Sequence, residues 1–170
     1  MSSHSGWLAS GVTCRPGRCG HEHSRNRYHR GLVGGGSIVI HIGIDPGVNT
    51  GIAVSRGGEL VLIRTVGVLD AMDMVLKAKA EDPHVWWEDA RKRAWFGTKG
   101  REALQGAGSI KRDCTLWVEF FERHAIRNTA VPPKAIRTKL DAGAFSRTTG
   151  WSERTNEHGR DAAMLIWGRK

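Results

Sequence analysis

The stretch IGIDPGVNTGIAV, Ile42 to Val54, constrains this chain more than any other. An apolar run rich in β-branched residues carries one carboxylate, Asp45, into a Pro-Gly turn. A second apolar run follows Asn49 and Thr50. The pattern predicts two strands joined by a short turn. A carboxylate at the end of a buried strand is costly unless something compensates its charge. The position of Asp45 therefore asks for a partner, a metal ion or a phosphate, and the other acids of the chain bear on which.

The neighbouring segments extend the pattern. SIVIHIGID reads as a first strand ending at Asp45, TGIAVSR as a second and ELVLIRTV as a third. Arg56-Gly57-Gly58-Glu59 is a hairpin turn centred on the two glycines. Leu69 to Ala80 predicts an amphipathic helix, with Leu69, Met72, Val75, Leu76 and Lys79 marking one face. HVWWEDA is a fourth strand. Gly100 to His124 predicts a long helix with apolar Leu104, Ile110, Leu116, Val118, Phe120 and Phe121. Gly106 and Gly108 within it suggest close packing or an early break. Ala125 to Val131 is a short fifth strand stopped by Pro132-Pro133. Lys134 to Leu140 is expected to be a short helix and DAGAFSRTTGW a loop. Asn156 is placed to cap a last helix running to Trp167. The order predicts an α/β fold: a three-stranded antiparallel meander plus two parallel strands, flanked by helices.

Charge separates the chain into two parts. The net charge is +9. Residues 1–37 hold five arginines and one acid, are rich in Gly, Ser and His, and show no strand or helix period. They are expected to be a disordered basic tail, with 38–170 as the folded domain. Translation of a purine-rich ribosome-binding sequence ahead of a start at Val39 is an alternative origin for the tail. Cys14, Cys19, His21 and His23 have a spacing that fits no common zinc site well. Residues 38–170 are basic in their own right, with 21 basic and 16 acidic side chains. A basic domain favours a polyanionic partner, and nucleic acid is the common one. No apolar run is long enough to span a membrane or to serve as a signal peptide, and three cysteines do not make a disulfide framework, so a cytoplasmic protein is expected.

The acids fall at telling places. Asp45 ends the first strand, and Glu88 and Asp89 end the fourth. Asp161 lies in the first turns of the last helix, and His158, three residues earlier, shares its face. Each has an ordinary structural reading: a turn cap, a solvated strand end, an acid at the positive end of a helix. If the last helix crosses the sheet beside the first strand, the carboxylates converge instead. A cluster of carboxylates needs cations, and oxygen ligands suit Mg²⁺ or Mn²⁺.

Taken together, IGIDPGVNTGIAV, a Glu ending the fourth strand, GREALQGAGSIK and EHGRDAAMLIW resemble the RuvC-type Holliday-junction resolvases of the RNase H-like fold. The chain looks most like a compact phage-encoded relative, over nearly all of residues 38–170. By matched position, the resemblance implies metal-site and catalytic roles for Asp45, Glu88, His158 and Asp161, holding two Mg²⁺ (or Mn²⁺) ions; Asp89 is the alternative to Glu88, which fits the register better. It implies a homodimer that hydrolyses phosphodiesters in four-way junctions or other branched DNA, in the cytoplasm of a bacterial host, without a nucleotide cofactor or a membrane. GREALQGAGSIK matches the helix that lines the dimer side in that family. LDAGAFSRTTGW stands where the family carries a basic Gly-rich segment, and differs from it in detail.

The DNA path is expected to follow the basic residues. Arg91, Lys92, Arg93, Lys99 and Arg101 come directly after Glu88, with Trp95 and Phe96 among them. Lys134, Arg137 and Lys139 form a second group. Such residues track phosphates, and an exposed aromatic can stack on an unpaired base. Solvated faces, and burial of the two aromatics, are the plainer readings. Trp86, Trp117 and Trp167 are expected in the core, and Cys114 as a buried, inert thiol. Two other functions fit the same sequence: a non-cleaving junction-binding protein, and an RNase H-like nuclease acting on flaps or RNA.

Overall fold

A computed structural model describes residues 38–92, 101–133 and 139–170, with side chains from 108 onward in the second stretch. The tail, with Cys14, Cys19, His21 and His23, lies outside the described residues. So do Arg93, Trp95, Phe96, Lys99, Lys134 and Arg137, together with the side chain of Arg101.

The strands are β1 (Ile40–Asp45), β2 (Asn49–Arg56), β3 (Glu59–Gly67), β4 (His84–Glu88) and β5 (Asn128–Val131). The helices are α1 (Val68–Ala78), α2 (Arg101–Arg123), α3 (Ala142–Thr149) and α4 (Glu157–Ile166). The sheet order is β3-β2-β1-β4-β5. β1, β2 and β3 form the antiparallel meander, while β4 runs parallel to β1 and β5 parallel to β4. The mixed sheet expected from the sequence is therefore present. The hairpin between β2 and β3 turns at Gly57 and Gly58, both at positive φ, a conformation glycine adopts without steric cost. No helix among the described residues is long and apolar enough to cross a membrane.

Alternation along the strands sends side chains to two faces. On one face Ile42, Ile44, Ile52, Val85 and Trp87 pack under Ala71 and Val75 of α1 and Cys114, Trp117 and Phe121 of α2. On the other face Ala53 and Ile63 pack under Phe145 of α3 and Ala162, Ala163, Leu165 and Ile166 of α4. The sheet is thus covered on both sides by helices.

Close approach fixes α4. An added Cβ at Gly43 of β1 would stand 2.0 Å from the Ala162 carbonyl oxygen. One at Gly51 of β2 would stand 2.0 Å from the His158 carbonyl oxygen. No side chain fits at either place, so the two strand glycines let the helix backbone rest directly on the sheet.

Several local expectations change. DAGAFSRTTGW is a helix and not a loop. Asp141 Oδ1 accepts the Ala144 N–H at 2.7 Å as an N-cap, and Gly150 at φ 72° ends the helix. Weak helix formers such as Gly143, Thr148 and Thr149 hid it; burial of Phe145 under α4 supplies what propensity does not. The helix expected at Lys134 to Leu140 falls mostly outside the described residues, and Lys139 and Leu140 lie in no regular element. Leu69 is exposed, as are Ile110 and Leu116, so these three do not belong to the packed faces of α1 and α2. Gly108 neither breaks α2 nor packs closely, because nothing lies within 4 Å of its missing Cβ. The Asn156 cap holds: its Oδ1 accepts the Gly159 N–H at 3.0 Å.

Two glycine substitutions therefore separate in sign. Gly43→Ala is expected to lose about 3 kcal/mol or more, because backbone must move to admit the methyl group. Gly108→Ala is expected to gain about 1 kcal/mol from helix propensity alone. Urea unfolding of the two variants checks both.

Candidate functional site

The carboxyl end of β1 brings Asp45 to the face covered by α4. Just beyond it, Thr50 Oγ1 donates to the Gly47 carbonyl at 2.7 Å and closes the Pro-Gly turn. Asp45 pairs in register with Gly51, and the His158 carbonyl sits on Gly51. This contact carries the His158 ring to Asp45, where Nδ1 lies 2.9 Å from Oδ2. With Asp45 ionised, Nδ1 is the donor. One turn further along α4 is Asp161, only 5% exposed. Lys139 Nζ stands 3.5 Å from Asp161 Oδ2 on a side chain that is otherwise open to solvent. Arg160 anchors that segment, donating to the Leu140 carbonyl at 2.9 Å and the Thr155 carbonyl at 3.0 Å.

Burial pushes the Asp45 carboxyl above its ordinary value. The His158 hydrogen bond opposes this, the charge of Asp161 adds to it, and Lys139 opposes it again. Two acids thus repel each other at the end of β1, and one imidazole and one ammonium offset them.

Glu88 and Asp89 part company. In the parallel ladder Gly43 faces Trp86 and Ile44 faces Trp87, so the next step sets Asp45 beside Glu88 on the face that α4 covers. Asp89 turns to the opposite face. It is 2% exposed, and its carboxylate takes Arg91 through Nε at 2.8 Å and Nη2 at 2.9 Å, with the Arg91 backbone N–H at 3.1 Å. Burial pushes the Asp89 carboxyl up most strongly, but the Arg91 hydrogen bonds and the charges of Arg91 and Lys92 together outweigh it and hold the carboxyl below its ordinary value. Lys92 Nζ donates to the Ala130 carbonyl at 2.9 Å. Both basic residues after β4 that the structure describes therefore make bonds within the fold.

The donor set on this face is three carboxylates and an imidazole, a chemistry that suits a divalent cation. Among the described residues, no three His, Cys, Asp or Glu side chains meet as a ready-made metal cage. Cys114 is buried on the other face, its thiol pushed up chiefly by desolvation, as expected of an inert cysteine. Trp117 is buried as expected, while Trp86 and Trp167 are half-buried.

The sequence reading missed Gly43, Gly51 and Arg160 as residues that build the site. A signal was present for the first two: glycine inside an apolar strand marks a bulge or a close backbone approach. Nothing in the sequence distinguishes Arg160 from any other helical arginine.

The mixed sheet in the order 3-2-1-4-5, with helices on both faces, is the architecture expected from the sequence. Among solved structures, the chain is similar to T. thermophilus RuvC in complex with Holliday junction substrate. The TM-score is 0.49 and the identity 18%, over 75% of this chain and 90% of that chain. No family model and no curated protein matches the sequence.

Two outcomes follow from the charges. Because the Asp45 carboxyl is raised in the fold, its ionisation opposes folding as pH climbs past the ordinary 3.8. Asp45→Asn, which keeps an acceptor for His158, is expected to stabilise the protein by about 1 kcal/mol near neutral pH. The gain should vanish where the carboxyl is protonated in both states, and thermal melts from about pH 3 to 8 read this directly. Arg91→Ala strands a buried carboxylate and is expected to cost about 3–5 kcal/mol. Lys92→Ala should cost about 1 kcal/mol or less, so the two unfolding curves separate a structural arginine from a surface lysine.

Proposed function

We propose that the chain is a metal-dependent endonuclease that cuts branched DNA, of the junction-resolving type that its sequence resembles. The observation that carries this reading is the His158–Asp45 bond at the end of β1, with buried Asp161 in electrostatic reach of Asp45 on the face that Glu88 shares. Buried like charges are rarely brought together for stability alone.

Asp45, Glu88, His158 and Asp161 would hold the ions, Mg²⁺ or Mn²⁺. Such ions would supply charge neutralisation at a phosphodiester and a nucleophile at neutral pH. The chain's own groups account for the rest. The His158–Asp45 bond orients both side chains before any ion arrives. The His158 ring is part exposed, and its Nε2 stands 4.0 Å from Glu157 Oε1. Lys139 balances Asp161 and reaches solvent, so it can leave that carboxylate for a DNA phosphate when other cations take its place. A homodimer would present two such sites to the two strands of a junction.

The test is cleavage of a labelled four-way junction and of linear duplex, each with Mg²⁺ and with EDTA, by the wild type and Asp45→Asn. Paired nicks in the junction, abolished by EDTA and reduced by roughly a hundredfold or more in the variant, are expected. Tight junction binding without cutting under any divalent ion would establish a binding protein instead. Cutting of flaps or RNA–DNA hybrids in preference to junctions would move the substrate and keep the chemistry.

A further inference from the structure

After α4 the chain folds back on itself. Gly168, at φ 77°, turns the backbone. The Arg169 N–H then donates to the Ile166 carbonyl at 3.2 Å, and Arg169 Nε donates to the Leu165 carbonyl at 2.7 Å. The guanidinium carbon lies 3.3 Å from the centre of the Trp86 ring. Trp86 also stacks on His84, with ring centres 4.5 Å apart, and its indole N–H donates to His41 Nδ1 at 3.1 Å. His41 is 6% exposed, and no bond of hydrogen-bonding geometry forms at its Nε2.

We propose that Arg169 is a positioning residue, a latch that ties α4 to β4 through Trp86, and that neutral His41 keeps it closed. Protonation of His41 releases it.

The latch completes a triangle. Gly43 and Gly51 set α4 on β1 and β2, and the backbone ladder sets β1 beside β4. Arg169 on Trp86 joins α4 to β4 directly, and the stack of a guanidinium on an indole face is the strong form of that contact. Trp86 lies two residues before Glu88 on the same face, while α4 carries His158 and Asp161 at its other end. The latch therefore joins two of the three elements that carry the site, β4 and α4, while Asp45 rides on β1.

The dependence on His41 follows from what an indole can do. Its N–H only donates, so it needs an acceptor. His41 Nδ1 accepts only while the ring is neutral with its proton on Nε2. A second proton would set donor against donor and place charge in a buried position. Burial is the largest reason that His41 lies below its ordinary 6.5, and Arg169 and Arg127 push the same way, while the Lys170 backbone opposes them. His84 faces it from β4, and Ser55, directly across on β2, is uncharged. Asp82 acts on His84 and pairs with Arg127 on the surface. With the latch open, the ring returns towards 6.5. The closed latch is therefore fully favoured above that value and weakens as pH falls through it.

Amide hydrogen exchange on the full chain tests this without DNA or metal, so its outcome is independent of the proposed nuclease activity. The Trp167 and Arg169 amides, bonded to Ala163 and Ile166, report the latch. Corrected for intrinsic rates, their protection in the wild type is expected to fall between about pH 7.5 and 5.5, by up to about tenfold per pH unit for one linked proton. His41→Gln keeps an acceptor for the indole but cannot titrate, and should show no such fall. Arg169→Ala should show low protection at Trp167 at both values. Protection in the wild type that does not change, or a fall in His41→Gln as large as in the wild type, overturns the proposal. Should His41→Gln not fold, the wild-type imidazole nitrogens decide: an Nε2–H tautomer with a depressed titration is expected, and a ring that titrates at or above 6.5 refutes the latch.

Discussion

The contact between α4 and the sheet governs the rest of this molecule. Helices usually rest on sheets through their side chains, which keep the two backbones apart. Here the carbonyls of His158 and Ala162 occupy the space above Gly51 and Gly43 where side chains would stand. The helix sits lower than Val or Ile at those positions would permit. Lowering it carries His158 into hydrogen-bonding distance of Asp45 and sets Asp161 within electrostatic reach of the same carboxylate. Apolar residues farther along α4 then complete the second core layer with Phe145 of α3. One steric fact thus links the core on that face to the cluster of acids at its edge.

That cluster costs stability and is held in place by its surroundings. Asp45 is harder to ionise in the fold than free in water, and Asp161 adds to the difficulty. His158 and Lys139 relieve it only in part. The relief is adjustable, since the Lys139 side chain is mostly exposed and a carboxylate can exchange an ammonium for another cation. Asp89 shows the opposite design on the other face. Its carboxylate is buried and its charge is met by Arg91 through three hydrogen bonds. Adjacent acids in the sequence therefore serve different ends because a strand sends neighbours to opposite faces.

The two faces also divide the work of stability. The α1 and α2 side holds the large aromatics Trp87, Trp117 and Phe121 and can be packed without regard to chemistry. The α3 and α4 side holds Phe145 among smaller aliphatic residues, the close helix contact, the acids, and the stack of Arg169 on Trp86.

Much of this was readable in the linear chain, for local reasons. Period-two apolar runs, the Gly57-Gly58 turn and the Asn156 cap are properties of a few consecutive residues, so all five strands and three of the helices were placed from sequence. The candidate acids were found because they sit at predicted strand ends and on one helix face. Helix α3 was not, since its residues are poor helix formers and burial of Phe145 stabilises it from a distance. Which of Glu88 and Asp89 faces the acids depended on the register of β4 against β1, a pairing between segments some forty residues apart. The bond from His158 to Asp45, the pairing of Lys139 with Asp161 and the stack of Arg169 on Trp86 all join distant parts of the chain. Sequence determined which groups were available and on which elements they ride. Only the tertiary structure decided which groups meet, because the spacing between elements is set by packing, and here by the absence of two side chains.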